Sequence, residues 1–154
     1  MSGYPLYVTV VMLMLVGMVQ SSLRFPIEIA KRYAALINPM MACHTALIRY
    51  SELNPAASGK VSSALVDAEL PPGVVDPGSF TYVIAVPGTV TTYLTVPAAG
   101  QSIAIAALQK LTDGSVVAGP IVDGDIIPPL PLQPLPAPGI PNGAIAIQTI
   151  VRNK

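Results

Sequence analysis

The hydrophobic pattern begins with an uninterrupted apolar run near the N-terminus. Residues 3–19 contain no charged side chain and are followed by the polar residues 20–22. A run of about 17 residues is at the short end of what a helix needs to cross a bilayer, and Tyr4 and Tyr7 stand where interfacial aromatic residues are favoured. The pattern predicts a transmembrane anchor over residues 1–22.

Two processed forms are alternatives to the uncleaved anchor. A cleaved signal peptide needs basic residues before the apolar run and a small-x-small cleavage site. The first basic residue is Arg24, and residues 19–21 fit such a site poorly. A type IV prepilin is processed after a glycine that precedes the run, and Gly3 has that position. However, no basic leader precedes Gly3, and Val8 stands where pilins carry an acidic residue, so the uncleaved anchor is preferred.

Apolar residues then recur at helical spacing from Pro26 to Leu53. The pair Asn38-Pro39 resembles an N-cap followed by a proline in the first turn, which predicts two helices or one kinked helix. We therefore expect a helical spine over residues 23–54 whose apolar face needs a partner, either the C-terminal sheet or another protein. The residues on that face are Ile29, Tyr33, Leu36, Ile37, Met40, Cys43, His44, Leu47, Ile48 and Ser51.

The period changes to that of strands after the turn at residues 54–59. Residues 80–86 and 89–96 are rich in β-branched and aromatic side chains and are joined by Pro87-Gly88, which predicts a hairpin. Residues 101–111 are ambiguous, but their alanines and the following Asp113-Gly114 favour a helix.

Two further strands and an extended segment complete the chain. The strands are predicted over residues 115–122, with an interruption at Gly119-Pro120, and over residues 144–151. The segment at 128–139 contains six prolines and is predicted to be extended polyproline II. The predicted fold class is α+β, with an N-terminal transmembrane helix and helical spine followed by a small, mainly antiparallel β domain over residues 55–154.

Composition excludes several classes of function. Eight Lys and Arg balance eight Asp and Glu, and only 10% of residues are charged, so the chain lacks the basic surface of a nucleic-acid-binding protein. One His and one Cys do not supply the four ligands of a structural zinc site. No nucleophile motif, P-loop or GxGxxG is present. We expect a non-enzymatic protein without catalytic residues, metal, cofactor or small-molecule substrate.

The candidate chemistry along the chain favours packing over ligand binding. Cys43 and His44 are adjacent, and neighbours on a helix point about 100° apart, so they do not form a two-ligand clamp. Five methionines could indicate a copper site or a promiscuous binding surface, but three of them lie in the predicted anchor, where methionine is simply apolar, so packing is preferred. They are Met12, Met14, Met18, Met40 and Met41. Asp123-Gly124-Asp125 is predicted to be a turn. The candidate partner contacts are Met40, His44, Leu47 and Ile48.

The order of several short motifs is specific. They are Tyr50, Asn54–Val61 (NPAASGKV), Leu65, Leu70-Pro71, Tyr82, Tyr93, Gly119, Gly124 and Gly139–Ala144 (GIPNGA). Their order after a hydrophobic N-terminus and a helical spine resembles the PilM family of thin type IV pilus systems on conjugative plasmids. This family is distinct from the larger, nucleotide-binding, actin-like proteins that share its name.

The resemblance implies a function and a location. It implies a single-pass inner-membrane protein with a periplasmic C-terminal domain that assists pilin transport or forms part of the pilus base. The implied partners are pilin and other pilus assembly proteins, with a homo-oligomer left open. The basic residues Arg24, Lys31 and Arg32 after the anchor would favour the opposite orientation. Two alternatives remain: a minor pilin of the filament, and a secreted or envelope binding module cleaved near residue 20.

Overall fold

A long N-terminal helix lies against an antiparallel sheet. The computed structural model describes residues 4–86, 88–112, 117–128 and 135–151. Within them the helices are α1 (Tyr4–Leu53), α2 (Ser63–Asp67) and α3 (Ala98–Thr112). The strands are β1 (Gly59–Val61), β2 (Thr81–Val86), β3 (Thr89–Thr95), β4 (Val117–Val122), β5 (Asp125–Ile126), β6 (Leu135–Pro136) and β7 (Ala144–Ile150). Their order across the sheet is β1-β2-β3-β7-β4-β5-β6, and all neighbours are antiparallel.

The last strand of the chain occupies the centre of the sheet. β7 pairs with β3 along its whole length, with Ile147 opposite Thr92, and with β4 on its other side. Its sequence AIAIQTI alternates small and large residues. Ile145 and Ile147 belong to the core beneath the helices, whereas Ala144 and Ala146 belong to a second cluster. Because successive side chains of a strand point to opposite faces, β7 is buried on both faces.

Helices α1 and α3 cover one face of this sheet, and the chain itself covers part of the other. Gln148 of β7 donates a hydrogen bond to the carbonyl of Pro136 in β6 at 3.2 Å, although two strands separate β6 from β7 in the sheet order. The β5–β6 region therefore folds over the face opposite α1. Ile121, Ile126, Ala137 and Ile140 form the second apolar cluster there with the alanines of β7.

Several local predictions are confirmed. β2 and β3 form the predicted hairpin, and the ambiguous segment is helix α3. Asp123 and Gly124 both have positive φ, at 52° and 85°, as a two-residue type I′ turn between antiparallel strands requires. The chain leaves α1 at Asn54, whose side-chain amide donates to the carbonyl of Tyr50.

The transmembrane helix of the predicted fold class is contradicted. Tyr4–Leu53 form one helix, and in the part of the chain that the structure describes no helix is long and apolar enough to cross a bilayer. The apolar run is close to the minimum spanning length, and it belongs to a longer helix that also carries exposed Glu28, Lys31 and Arg32. The predicted fold class and the single-pass inner-membrane location with a periplasmic domain are therefore wrong.

Of the two alternatives expected at Asn38-Pro39, two separate helices are wrong and a single helix is found. Both residues lie inside α1, which begins 35 residues before Pro39 and thus has no N-terminus at this pair. The helix continues because its next turns are buried against the sheet, with Met40 fully buried. Such packing outweighs the local preference of proline for a first turn.

The predicted effects of proline on the strands are also wrong. β4 runs through Gly119-Pro120 without interruption. The carbonyl of Pro120 accepts a hydrogen bond from the amide of Ile127, on the side away from β7, so the absent N–H of proline costs no bond to β7. At residues 135–136 the predicted polyproline segment is instead strand β6, paired with β5. Residues 129–134 of the predicted polyproline segment lie outside the described residues.

The burial of α1 predicts the effect of truncating Leu47. Leu47→Ala removes a fully buried side chain from the core, so we expect it to lower the free energy of unfolding by about 2–5 kcal/mol. Leu53→Ala is the matched control, because Leu53 lies on the same helix and is 68% exposed; its cost should stay within about 0.5 kcal/mol. Urea denaturation of both variants measures the difference, and equal costs would contradict this packing.

Candidate functional site

The residues proposed from the sequence as partner contacts lie against the sheet of the same chain. Met40, His44 and Leu47 are buried in the core, and Ile48 is half-buried. Their helical spacing was read correctly as one face of α1, and β3 is among the elements that this face contacts. Their assignment to partner binding stays a prediction, and in this conformation only Ile48 retains substantial exposed surface.

His44 links α1 to the two central strands. Its Nδ1 lies 3.0 Å from Oγ1 of Thr92 in β3, and its Nε2 lies 2.9 Å from Oγ1 of Thr149 in β7. A neutral imidazole has one donor and one acceptor nitrogen, and each hydroxyl can take the complementary role. Both ring nitrogens are therefore satisfied within the fold.

Burial keeps this imidazole neutral. It lowers the pKa of His44 from 6.5 to about 4, because the charged form is disfavoured away from water. The unfolded chain consequently binds more protons than the folded chain between these two values. Folding stability therefore falls as the pH drops from about 6.5 towards 4.

Cys43 is likewise a core residue. It has no exposed surface, and burial raises the pKa of its thiol. The thiolate is the nucleophilic and metal-binding form of cysteine, so the environment of Cys43 disfavours both kinds of chemistry. Among the described residues no group of three or more His, Cys, Asp and Glu side chains could hold a metal ion.

The methionines divide between the core and the surface. Met40 is buried and Met41 half-buried, whereas Met12 and Met14 are exposed. The side chain of Met18 lies outside those that the structure describes. The exposed pair flanks Leu13, so three consecutive apolar side chains of α1 face solvent.

An open cleft lies between α1 and the ends of β2 and β3, and the sequence reading missed it. Its volume is about 200 Å³. The lining residues are Arg32, Tyr33, Leu36, Ser79, Thr81, Leu94 and Thr95. Tyr33 and Leu36 were placed on the apolar face of the helix, but no pattern in the sequence signals that Ser79 and Thr95 line the same cleft as Arg32. The pairing of β2 with β3 and the packing of α1 on β3 together form this cleft.

These surfaces define a class of protein: a long helix packed by its C-terminal half on an antiparallel sheet, with exposed apolar side chains nearer its N-terminus. The model of the PilM family matches residues 10–147. The chain therefore belongs to the PilM family, as its resemblance indicated, and is a pilus-related protein.

Two crystal structures of PilM proteins are similar to this chain. The protein from Escherichia coli B7A is 18% identical in sequence, and its TM-score is 0.51. The matched region covers 79% of this chain and 91% of the Escherichia coli chain. The protein from Pseudomonas aeruginosa 2192 is 26% identical in sequence, and its TM-score is 0.43. The matched region covers 75% of this chain and 93% of the Pseudomonas chain. The first likeness indicates a shared fold. No curated protein matches the chain.

The neutral state of His44 predicts a pH-dependent stability. Between pH 7 and pH 5 we expect the free energy of unfolding to fall by about 2 kcal/mol through this group alone, because its pKa is about 4 in the folded chain and 6.5 in the unfolded chain. Urea denaturation across this range measures the slope. His44→Gln keeps a donor and an acceptor but does not titrate, so its slope should be flatter; an unchanged slope would contradict the assignment.

Proposed function

We propose that the chain is a non-enzymatic component of type IV pilus biogenesis that assists pilin transport or forms part of the pilus base. It acts by contacting pilins and other pilus assembly proteins. Family membership supports the connection to the pilus. The observation that carries the mode of action is the exposed apolar segment Met12–Met14 of α1.

The exposure of this segment extends around most of the helix. Met12, Leu13 and Met14 are 61%, 66% and 67% exposed. Consecutive residues of a helix point about 100° apart, so three of them sample about 200° of its circumference. No other part of the described chain covers these side chains. Contiguous exposed apolar surface on a folded protein is a mark of an interaction site.

The position of the segment favours a helical partner. Tyr33 is the first half-buried side chain of α1 among those described. Met14 precedes it by 19 residues, about 28 Å along the helix axis. A partner can therefore pack along α1 without displacing the sheet. An amphipathic or apolar helix of a pilus protein supplies the ridges that pack on another helix.

The placement of the reactive side chains supports a non-enzymatic role. The single His is fully hydrogen-bonded in the core, and the single Cys is buried with a raised pKa. Neither is presented to a substrate in this conformation. We propose that binding, rather than catalysis, is the activity of the chain.

A minor pilin is the second candidate function. The same exposed helical segment would then pack among the helices of the filament, and the sheet would form the outer domain. This reading requires processing after Gly3, which lies outside the described residues. The third alternative, a secreted binding module cleaved near residue 20, would cut α1 within its helical span.

Charge placed in the exposed segment tests the mode of action. Leu13→Glu should reduce the amount of the host's major pilin that co-purifies with the chain by at least about tenfold, because a carboxylate cannot be buried unpaired in an apolar contact. Quantitative mass spectrometry of the affinity-purified chain measures this loss.

Val75→Glu is the matched control, because Val75 is 78% exposed and lies outside the helices. Both variants should keep the thermal stability of the parent chain, since neither side chain is part of the core. Unchanged pilin recovery with Leu13→Glu would contradict the proposed role of this segment.

Intact mass separates the candidate functions. An assembly component should have the full-length mass and should be absent from sheared filaments. Loss of residues 1–3, with the chain present in sheared filaments, would make it a pilin. Loss of about twenty residues would make it a secreted module, since that is the position expected for signal cleavage.

A further inference from the structure

We propose that the cleft between α1 and the β2–β3 hairpin binds an acidic side chain of a pilus partner protein through Arg32. This inference rests on the proposed function, in which such a partner packs along α1. It names a second contact on the chain and the chemistry that the partner must present there.

The charge of the cleft selects an anion. Among the described residues that line it, Arg32 is the only charged one. Among the described residues, Arg32 makes no hydrogen bond and no ion pair, and Glu28, one turn earlier on α1, does not pair with it. A guanidinium presents paired N–H donors that match a carboxylate in a bidentate geometry.

The other polar groups of the cleft are neutral and available. The residues Tyr33, Ser79, Thr81 and Thr95 line it, and none of their hydroxyl groups makes a hydrogen bond within the described chain. They can donate to the carboxylate oxygens that Arg32 leaves free. A single positive charge surrounded by neutral donors balances one carboxylate, whereas a phosphate dianion would be left half-neutralised.

Two apolar residues line the cleft beside the polar ones. Leu94 is buried and Leu36 is half-buried. Their side chains offer an apolar contact for the one or two methylene groups of Asp or Glu.

The size of the cleft favours a protein side chain over a free small molecule. Its volume of about 200 Å³ is below the roughly 300–1,000 Å³ of sites that enclose small molecules, and it is open to solvent. A free ligand would bury little surface here, but a side chain held by a larger interface would gain the charge-assisted bond.

The position of the cleft connects it to the exposed helical segment. Arg32 and Tyr33 lie on α1 where the helix first meets the sheet among the described residues. A partner helix that packs on Met12–Met14 and follows α1 towards the sheet reaches this cleft. The two surfaces can therefore be occupied by one partner.

Charge reversal with matched controls tests the proposal. Arg32→Glu should lower recovery of the host's major pilin by at least about tenfold, the effect of losing one charge-assisted hydrogen bond. Lys31→Glu and Arg49→Glu make the same change in net charge at exposed positions of α1 outside the cleft. Their recovery should stay within about twofold.

Carbodiimide coupling identifies the partner group directly. In Arg32→Lys the new amine can be coupled to a carboxylate in contact with it, and mass spectrometry should locate the link on an Asp or Glu of the partner. Arg49→Lys should give no such link. Absence of the link, together with unchanged recovery for Arg32→Glu, would overturn the proposal.

The variants Leu13→Glu and Arg32→Glu together separate the acidic contact from the proposed function. Loss of the partner with Leu13→Glu but not with Arg32→Glu would overturn the acidic contact and leave the proposed function standing. Full recovery with both variants would overturn both. Binding of inorganic phosphate by the purified chain, lost in Arg32→Glu while partner recovery is unchanged, would assign the cleft to a free anion and also overturn the proposal.

Discussion

The packing of the C-terminal half of α1 on β3 and β7 is the constraint on which the rest of the structure depends. β7 is the last strand of the chain but the central strand of the sheet. The sheet is therefore complete only after the final residues have paired with β3, and α1 covers the resulting face. His44 joins all three elements through hydrogen bonds to Thr92 and Thr149. Helix and sheet thus share one core.

This shared core determines which residues remain for function. His44 and Cys43 are the two side chains with the most versatile chemistry, and both lie inside it. Their burial stabilises the neutral imidazole and the protonated thiol, so the core uses them as packing and hydrogen-bonding groups. The surfaces that we propose as partner contacts are the exposed segment of α1 and the cleft beside Arg32.

Both of these surfaces follow from a difference in length. A strand of seven residues such as β3 spans about 24 Å, whereas the 50 residues of α1 extend over about 75 Å. The sheet can therefore cover only part of the helix. Among the described side chains, the apolar Met12, Leu13 and Met14 lie beyond the sheet and are exposed. The cleft lies where α1 meets the ends of β2 and β3.

The sequence by itself determined the elements whose signals are local. The face of α1, the β2–β3 hairpin, α3 and the Asp123-Gly124 turn all follow from periodicity or turn chemistry, and the order of short motifs identified the family. The transmembrane helix predicted from local hydropathy at the N-terminus is wrong, because hydropathy counts apolar side chains without showing what lies beside them. Only the tertiary structure decided that β7 is central, that His44 meets residues 48 and 105 positions away, and that Arg32, Ser79 and Thr95 line one cleft. These contacts depend on strand order, which no local pattern encodes.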